Sequence, residues 1–260
     1  MATTLGQTGY NFMLAAGNSW SSSFSADPAA GSTILVGTGH AVAADDLDIV
    51  SSVTDNASNA YALVSSSRHY INGENLEIWR AYNVATTAGL IVTVNYLNSN
   101  MTNRRLHVVE VVGAETASDP IDLSSGSAQD GPGTGNNAVT TGPLGTPSTD
   151  GQFVFAMSIF GYSPDNVNIG TGYTALGTYN YGESNRAEYL IQGTAAPVAG
   201  TFTNDLEGGV WATVAVTVKA AGGGGGGGGS GAGSTTRIDS LGNIQTRIGP
   251  SERNVFNFNS

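Results

Sequence analysis

The chain has 260 residues, of which 40% are hydrophobic, 11% are charged and 37 are glycine, and it contains no cysteine. The hydrophobic content is sufficient for a buried core, whereas the lack of cysteine excludes disulfides, thiolate metal sites and thiol nucleophiles. The formal net charge is −11, from 9 basic and 20 acidic residues, and such an acidic chain repels phosphate backbones, so nucleic acid is not an expected partner.

Ten short runs rich in β-branched and aromatic residues predict β-strands. In chain order they are Thr33–Val36, Ile49–Thr54, Tyr61–Ser65, Leu76–Tyr82, Leu90–Tyr96, Leu106–Val112, Phe153–Ile159, Ala187–Ile191, Gly200–Thr203 and Trp211–Val218. Within Leu76–Tyr82, alternation places Glu77, Trp79 and Ala81 on one face. In residues 210–218 the valines at even positions form one apolar face.

The segments between these runs have the composition of turns. Asp55–Asn59, Asn72–Asn75 and Gly131–Gly135 are rich in Asx residues and glycine, which tolerate the left-handed backbone of tight turns. The long polar stretch from Asp119 to Asp150 predicts either a wandering surface loop or two weak edge strands. Because no segment has the pattern of an amphipathic helix, we predict an all-β fold: one antiparallel, jelly-roll-like sandwich over residues 1–221.

A run of eight glycines, Gly222 to Gly229, follows this domain and continues as Ser-Gly-Ala-Gly-Ser. A run without side chains contributes nothing to a core, so residues 222–234 are predicted to be a flexible linker. Residues 235–260 then form a short tail that carries a net charge of the opposite sign, with three arginines and two acidic residues. Gly242-Asn243 lies where a turn is expected.

The tail contains a second set of apolar residues, although the domain before it needs none. About 25 residues are too few to fold alone, so the tail is expected to order against its own domain, a sister subunit or another surface. We therefore predict an anchoring or assembly role for its apolar residues, which are Ile238, Leu241, Ile244, Ile248, Val255, Phe256 and Phe258. The alternating Val/Phe/Asn pattern at the end suits strand addition to a sheet edge.

Several stretches between Val53 and Lys219 resemble a recurring β-sandwich module of bacterial surface proteins and phage structural proteins. They are Val53–Asn56 leading to Tyr61, Glu77–Val84, Val108–Gly113, Phe153–Ala156, Gly170–Thr174 and the strand from Trp211 to Lys219. The resemblance is to concanavalin-like or immunoglobulin-like sandwiches and covers about two thirds of the chain. It implies a fold, and an adhesive, carbohydrate-binding or structural role, more than an activity. The tail resembles no family.

Signs of catalysis are few. The histidines His40, His69 and His107 have no ligand spacing, and His107 has the setting of an ordinary strand residue. No G-x-S-x-G elbow is present. A glycosidase needs two carboxylates that face each other across a cleft, and the candidates for such a pair are Glu77, Glu110 and Glu188, on different predicted strands. A glutamate on a solvated strand face is the commoner case. We expect no enzymatic activity and no cofactor.

Two weaker binding interpretations remain. Asp45, Asp46, Asp48 and Asp55 offer the carboxylate oxygens that calcium prefers, although they match no EF-hand loop and also have plain turn composition. Four tyrosines, Tyr162, Tyr173, Tyr179 and Tyr181, lie in loop-like sequence, where their rings suit either stacking on a sugar or a protein interface.

The start of the chain, Met1-Ala2-Thr3-Thr4-Leu5-Gly6, has neither a basic region nor an apolar region, so no signal peptide is predicted, and the initiator methionine suggests a complete product. No apolar run reaches the roughly 18 residues of a membrane span. A protein with exterior composition and no secretion signal is typical of a virion component released by lysis. We therefore expect a location in the virion or on an extracellular surface.

Three functions are consistent with these features. The first is a phage virion structural protein, such as a capsid decoration or head-fibre-like subunit, with a capsid or other virion protein and its own copies as partners. The second is a carbohydrate-binding adhesin module of a tail fibre or cell surface, with a glycan as partner. The third is a self-assembling surface filament subunit.

Overall fold

The structure is a computed structural model. It describes residues 2–41, 49–71, 73–97, 101–129, 138–161, 166–177, 184–204, 210–222, 235–238 and 244–247; the side chains of 65–68, 70–71 and both of the last two ranges are not described. These residues form strands, turns and bends, with no helix among them. They divide into two compact units, residues 1–225 and 226–260.

The first half of the larger unit contains eight strands in two antiparallel sheets. The five-stranded sheet has the order β1-β8-β3-β6-β5, and the three-stranded sheet has the order β2-β7-β4. The strands are β1 (Thr4–Met13), β2 (Ser19–Ser23), β3 (Thr33–Ala41), β4 (Val50–Asp55), β5 (Ala62–Ile71), β6 (Glu74–Ala81), β7 (Ile91–Tyr96) and β8 (Thr102–Val112). We call this half roll 1.

The second half repeats the arrangement strand for strand. Its five-stranded sheet has the order β13-β14-β11-β16-β9 and its three-stranded sheet the order β10-β15-β12. The strands are β9 (Ile121–Gln129), β10 (Ala138–Thr140), β11 (Phe153–Phe160), β12 (Val167–Ile169), β13 (Thr174–Leu176), β14 (Asn185–Ile191), β15 (Thr201–Asn204) and β16 (Trp211–Val218). We call this half roll 2.

The pairing within each half is that of a jelly roll. In roll 1 the first strand pairs with the eighth, the second with the seventh and the third with the sixth, as in a long hairpin wound into a sandwich. Roll 2 has the same nested pairs, β9 with β16, β10 with β15 and β11 with β14. The predicted jelly-roll-like sandwich is thus confirmed, and it consists of two jelly rolls in tandem.

The two rolls stack as four layers with three hydrophobic cores. The two five-stranded sheets face each other across a central core that includes Leu35 and Leu76 of roll 1 and Phe155 and Val214 of roll 2. Each five-stranded sheet also packs on the three-stranded sheet of its own roll, forming the roll-1 core and the roll-2 core. Central strands of the inner roll-2 sheet, such as β11 and β16, are therefore buried on both faces.

This arrangement explains the predicted alternation in β16. Val214, Val216 and Val218 belong to the central core, as the even-numbered valine face predicted, whereas the odd-numbered Trp211 and Ala215 belong to the roll-2 core. All eight residues of β16 are buried. In β6, Leu76 and Ile78 face the central core and Ala81 the roll-1 core, again with the predicted alternation.

Two glycines on β3 allow the inner sheets to approach closely. A Cβ atom built on Gly37 would lie 2.9 Å from both Met157 Sδ and Phe155 Cζ, and one on Gly39 would lie 2.9 Å from Ile159 Cγ2. Such distances are shorter than real carbon contacts, so side chains at these positions would hold the rolls apart. Glycine has a low strand propensity, which explains why the predicted strand ends at Val36. In the structure these two glycines are part of the contact between the rolls.

Polar side chains supplement this contact. The His107 Nε2 and Asn185 Oδ1 atoms lie 3.0 Å apart, and the Asn185 amide donates to the Tyr10 hydroxyl at 3.2 Å. Burial lowers the pKa of His107 to about 4, so its ring is neutral at physiological pH. Within roll 1, Arg105 reaches across β3 at Gly39 to form a buried ion pair with Glu74 at 2.8 Å.

The strands of the two rolls run in the same sense. Gly37 and Gly39 of β3 lie over Phe155, Met157 and Ile159 of β11 in ascending order, so β3 and β11 point the same way. Even-numbered strands of both rolls therefore finish at one end, which we call the exit end because β16 finishes there and leads to Gly222. Odd-numbered strands finish at the opposite end, the far end.

Several boundaries and strands differ from the sequence prediction. Thr33–Val36 extends to Ala41 in β3, and Leu106–Val112 begins earlier, at Thr102. The sequence prediction lacks strands β1, β2, β12 and β13: β1 and β2 are rich in serine, threonine, asparagine and glycine, and β12 and β13 have only three residues each. Of the two alternatives for residues 119–150, the edge strands are correct, because β9 and β10 lie at the edges of their sheets.

Candidate functional site

The exit end ties the two rolls together just before the glycine run. Ala221 N donates to Gly113 O at 2.7 Å and Glu115 N donates to Lys219 O at 2.9 Å, while Ala114 and Ala220 form an antiparallel bridge. The start of the chain is at the same end, where Thr3 N donates to Gly151 O at 2.9 Å. The last residues before the linker are thus fixed to roll 1 by backbone hydrogen bonds.

The second unit contains a β-hairpin within the predicted tail. β17 (Thr235–Ile238) pairs antiparallel with β18 (Ile244–Arg247). Gly242-Asn243, where a turn is predicted, lies outside the described residues. Ile238 lies opposite Ile244, and Arg237 lies opposite Gln245. Directly paired residues share a face of a two-stranded ribbon, and neighbours along a strand alternate. In this register the two isoleucines are paired with each other, and each arginine is paired with a polar residue of the other strand.

Of the predicted tail residues, only these two isoleucines can be placed. Ile238 and Ile244 form the closing pair of the hairpin. Leu241, Ile248, Val255, Phe256 and Phe258 lie outside the described residues. A two-stranded ribbon of four residues a strand is at best marginally stable by itself. What the hairpin can offer to a partner is the backbone N–H and C=O groups of its two open strand edges.

The three candidate carboxylates do not share a cleft. Glu77 on β6 and Glu110 on β8 are buried on the face of the inner sheet that covers the roll-1 core, where Glu110 accepts hydrogen bonds from Gln7 N at 3.0 Å and Ala29 N at 2.6 Å. Glu77 accepts one from Trp79 Nε1 at 3.0 Å. Glu188 lies in roll 2, beyond the central core, so no pair of these groups spans the two rolls.

Glu188 has a structural role. It is fully buried on β14, where its carboxylate accepts hydrogen bonds from Gly170 N at 2.7 Å and Thr201 N at 3.0 Å. Burial raises the pKa of Glu188 to about 7, and the two backbone donors oppose that rise. A carboxyl with this pKa often marks an active site. Here it joins the β12–β13 turn to the start of β15.

Among the four tyrosines, the structure describes Tyr173 alone. Its hydroxyl donates to Ala199 O at 2.8 Å, and its ring is partly buried near Glu188, where burial raises the pKa of the phenol well above its usual range. This tyrosine therefore braces the exit end of roll 2. Tyr162, Tyr179 and Tyr181 lie outside the described residues, and their sugar-binding role stays a prediction.

The aspartates are divided by a strand. Asp55 accepts hydrogen bonds from Ala57 N, Asn59 N, Asn59 Nδ2 and the Tyr61 hydroxyl at 2.8–3.0 Å, which closes the turn after β4. Asp45, Asp46 and Asp48 lie outside the described residues. The calcium role of the four aspartates therefore stays a prediction.

The described residues offer no further site of these kinds. They contain no cluster of three or more His, Asp or Glu side chains placed to hold a metal ion. Nor does any described segment form a helix with the length and apolar character to span a bilayer.

Comparisons with known proteins give one weak structural match. No protein-family model matches the sequence, and no curated protein matches it significantly. Among solved structures, the major capsid protein P2 from bacteriophage PM2 superimposes on 82% of this chain and 96% of its own, with a TM-score of 0.24 and 10% identity. That similarity is too low to assign a fold or function, so the fold rests on the strand pairing described above.

Proposed function

We propose that this chain is a non-enzymatic structural protein of a virion, a capsid decoration or head-fibre-like subunit that attaches through residues 235–260. The observation that carries the proposal is the division of the chain into a self-sufficient double jelly roll and a small hairpin unit, on either side of a glycine run. The three cores of the double roll are built from residues before 221, so the domain needs nothing from the tail. The hairpin, in contrast, needs a partner to be stable.

The exit end supports the same role. Because the linker leaves the domain there, attachment through the tail tethers the domain to the particle from its exit end. One tail contact of this size is weak, but many copies on one particle, or a homo-oligomer of the chain, raise the effective concentration of each contact. The acidic domain, with a net charge much more negative than the tail, keeps neighbouring copies from adhering nonspecifically.

Mass spectrometry of purified particles tests the proposal. Virions from a culture that produces the chain should contain it as a stoichiometric component, in tens of copies or more per particle, and it should remain after a density gradient. Its presence only in the culture fluid or in the cell-surface fraction, with none in washed virions, would contradict a virion role.

The two alternatives have separate tests. A carbohydrate-binding module requires a glycan-array signal that the Tyr179→Ala variant loses; Tyr173, whose hydroxyl is used within the fold, is its matched control for general destabilisation. A filament subunit requires the purified full-length chain to polymerise unaided, seen as fibres by electron microscopy. No contact among the described residues favours either alternative over the virion role.

A further inference from the structure

The interior of roll 1 holds a contiguous polar group of side chains near the far end. We call it the mouth cluster: Trp20, His40, Asn75, Tyr96 and Arg104. His40 on β3 and Asn75 on β6 are direct cross-strand partners, so they project side by side from the same face. The His40 ring meets the Tyr96 ring edge-on at 5.0 Å, and the Arg104 guanidinium lies 5.0 Å from the Trp20 ring centroid. The cluster thus connects both sheets of roll 1.

Five buried polar atoms of the mouth cluster have no protein hydrogen-bond partner. They are Trp20 Nε1, Asn75 Nδ2, Arg104 Nε and both ring nitrogens of His40. Across the described residues ten such atoms occur, so half of them belong to this one cluster. His40 is 0% exposed and Asn75 2%. Folded proteins pair more than nine in ten of their buried polar groups, because a buried group without a partner loses its hydrogen bonds to water and gains none in the fold.

The strand geometry beside His40 is irregular. The register between β3 and β8 shifts between Gly39 and Ala41, which places an extra residue of β8 opposite His40. In that bulge Asn103 adopts φ 47°, a left-handed conformation uncommon for a residue other than glycine. The guanidinium of the next residue, Arg104, is held by the carbonyl oxygens of Ser19 and, at 2.8 Å, of Ala15.

The chemistry of the unpaired atoms defines what fits between them. Trp20, Asn75 and Arg104 contribute donors, while a neutral imidazole contributes one donor and one acceptor. Burial, with a smaller effect of the Arg105 charge, lowers the pKa of His40 to about 3, so its ring is neutral at physiological pH. The Glu77 carboxylate raises the pKa of the Tyr96 phenol whereas the Arg104 charge lowers it, so a negative charge close to the cluster opposes the attraction of Arg104 for an anion. A small neutral molecule that both accepts and donates meets these requirements.

We propose that the mouth cluster is an internal hydration site, in which ordered water molecules bridge His40, Asn75, Arg104 and Trp20. A buried water makes about three hydrogen bonds, so five unpaired atoms call for about two waters. These waters are part of the native structure of roll 1. They give its far end a polar interior, whereas the exit end is closed by apolar packing around Phe24, Val84 and Leu90.

Thermal unfolding of two variants of the full-length chain tests the proposal by the sign of the effect. Replacing an unpaired polar group in a dry site by an apolar group of similar shape stabilises a protein, whereas removing a partner of bound water destabilises it. Asn75→Leu should therefore lower Tm by about 2–8 °C. Thr33→Val is the matched control, since the isolated Thr33 hydroxyl is also buried and unpaired; it should leave Tm unchanged or raise it.

Oxygen-17 water relaxation dispersion gives a second readout that does not depend on stability. The wild-type chain should show about two more long-lived waters than Asn75→Leu, and Thr33→Val should match the wild type. The proposal is overturned if Asn75→Leu raises Tm as the control does and the water count is unchanged. It is also overturned if sodium chloride raises the wild-type Tm but not that of Asn75→Leu, because the occupant is then an anion.

Discussion

The close approach of the two jelly rolls predicts a large response to a single methyl group at Gly37. In the Gly37→Ala variant the new Cβ would lie 2.9 Å from both Met157 Sδ and Phe155 Cζ. Ordinary contacts between such atoms are about 3.5–4.0 Å, so the neighbours must withdraw by roughly 0.6–1 Å. Both neighbours are fully buried in the central core and have little room to move.

The magnitude follows from two opposing effects. Overpacking of a well-packed core destabilises by about 1–3 kcal/mol, whereas replacing glycine by alanine recovers about 0.4–1 kcal/mol by restricting the unfolded chain. Gly37→Ala should thus lower the free energy of unfolding by about 1–2 kcal/mol. For a domain of this size that corresponds to a decrease in Tm of about 2–8 °C.

Thermal and urea unfolding, followed by circular dichroism, measure the effect. Gly193→Ala is the matched control, because a Cβ there meets nothing within 4 Å and the backbone has no left-handed φ; this variant should be neutral or slightly stabilised. If Gly37→Ala has the same Tm as Gly193→Ala, the inner sheets are not in the contact described, and the four-layer arrangement is wrong at β3.

Three further predictions concern the roles of single buried groups. Glu110→Ala should destabilise the domain by about 2–4 kcal/mol in urea unfolding, because it leaves two part-buried backbone N–H groups unpaired. Glu115→Ala should change it by less than about 1 kcal/mol, because the two backbone N–H groups that donate to Glu115 are exposed and bind water instead. The neutral state of His107 in the fold means that the unfolded chain binds a proton below pH 6.5 that the folded chain does not, so stability falls as pH drops from 6.5 toward 4. Glu188, with a raised pKa, acts in the opposite sense between pH 7 and 4.5. The effect of His107 is therefore measured as the difference in free energy of unfolding between the wild type and His107→Gln. This difference should decrease by about 2 kcal/mol from pH 7 to pH 5. A constant difference would show that His107 does not titrate as described. Asp55→Asn should lower Tm by several degrees in EDTA and in calcium alike, since the carboxylate closes a turn; a calcium-dependent difference would identify Asp55 as a metal ligand.

Much of the fold could be predicted from sequence because the strands of the core carry strong local signals. The even-numbered valines of β16 and the alternating pattern of β6 define faces that the structure confirms. The number of rolls was harder to predict. In β11 and β16 both faces are buried, so their residues form continuous apolar runs that indicate a strand but not which sheets cover it.

The missed strands have a common physical reason. Long β1 and short β2 lie at sheet edges and have few apolar residues, so their pairing is decided by the neighbouring strands β8 and β7 rather than by their own propensity. The duplication could not be detected either, since the two rolls share strand order but no evident sequence repeat. The topology alone relates β1-β8-β3-β6-β5 to β9-β16-β11-β14-β13.

The candidate sites were less predictable than the fold, because a site depends on which strands meet. Glu77, Glu110 and Glu188 were correctly placed on strands, but only the four-layer stacking shows that two cover one core and the third another. The pairing of His40 with Asn75 across β3 and β6 could not be predicted, because 34 residues separate them in the chain. Tyr173 lies in loop-like sequence, and only the fold brings its hydroxyl within hydrogen-bonding distance of Ala199 O.

The most direct test of the proposed attachment is virion incorporation of a chain that ends at residue 221. Virions assembled with the 1–221 chain should lack it, with at least a tenfold loss by quantitative mass spectrometry, while the truncated protein remains soluble and keeps the Tm of the full-length domain. Within the tail, Ile244→Asp should reproduce the loss, whereas Gln245→Asp, at the next position of β18, should affect incorporation much less because it removes no apolar side chain. Incorporation of the truncated chain at the full-length level would contradict attachment through the tail.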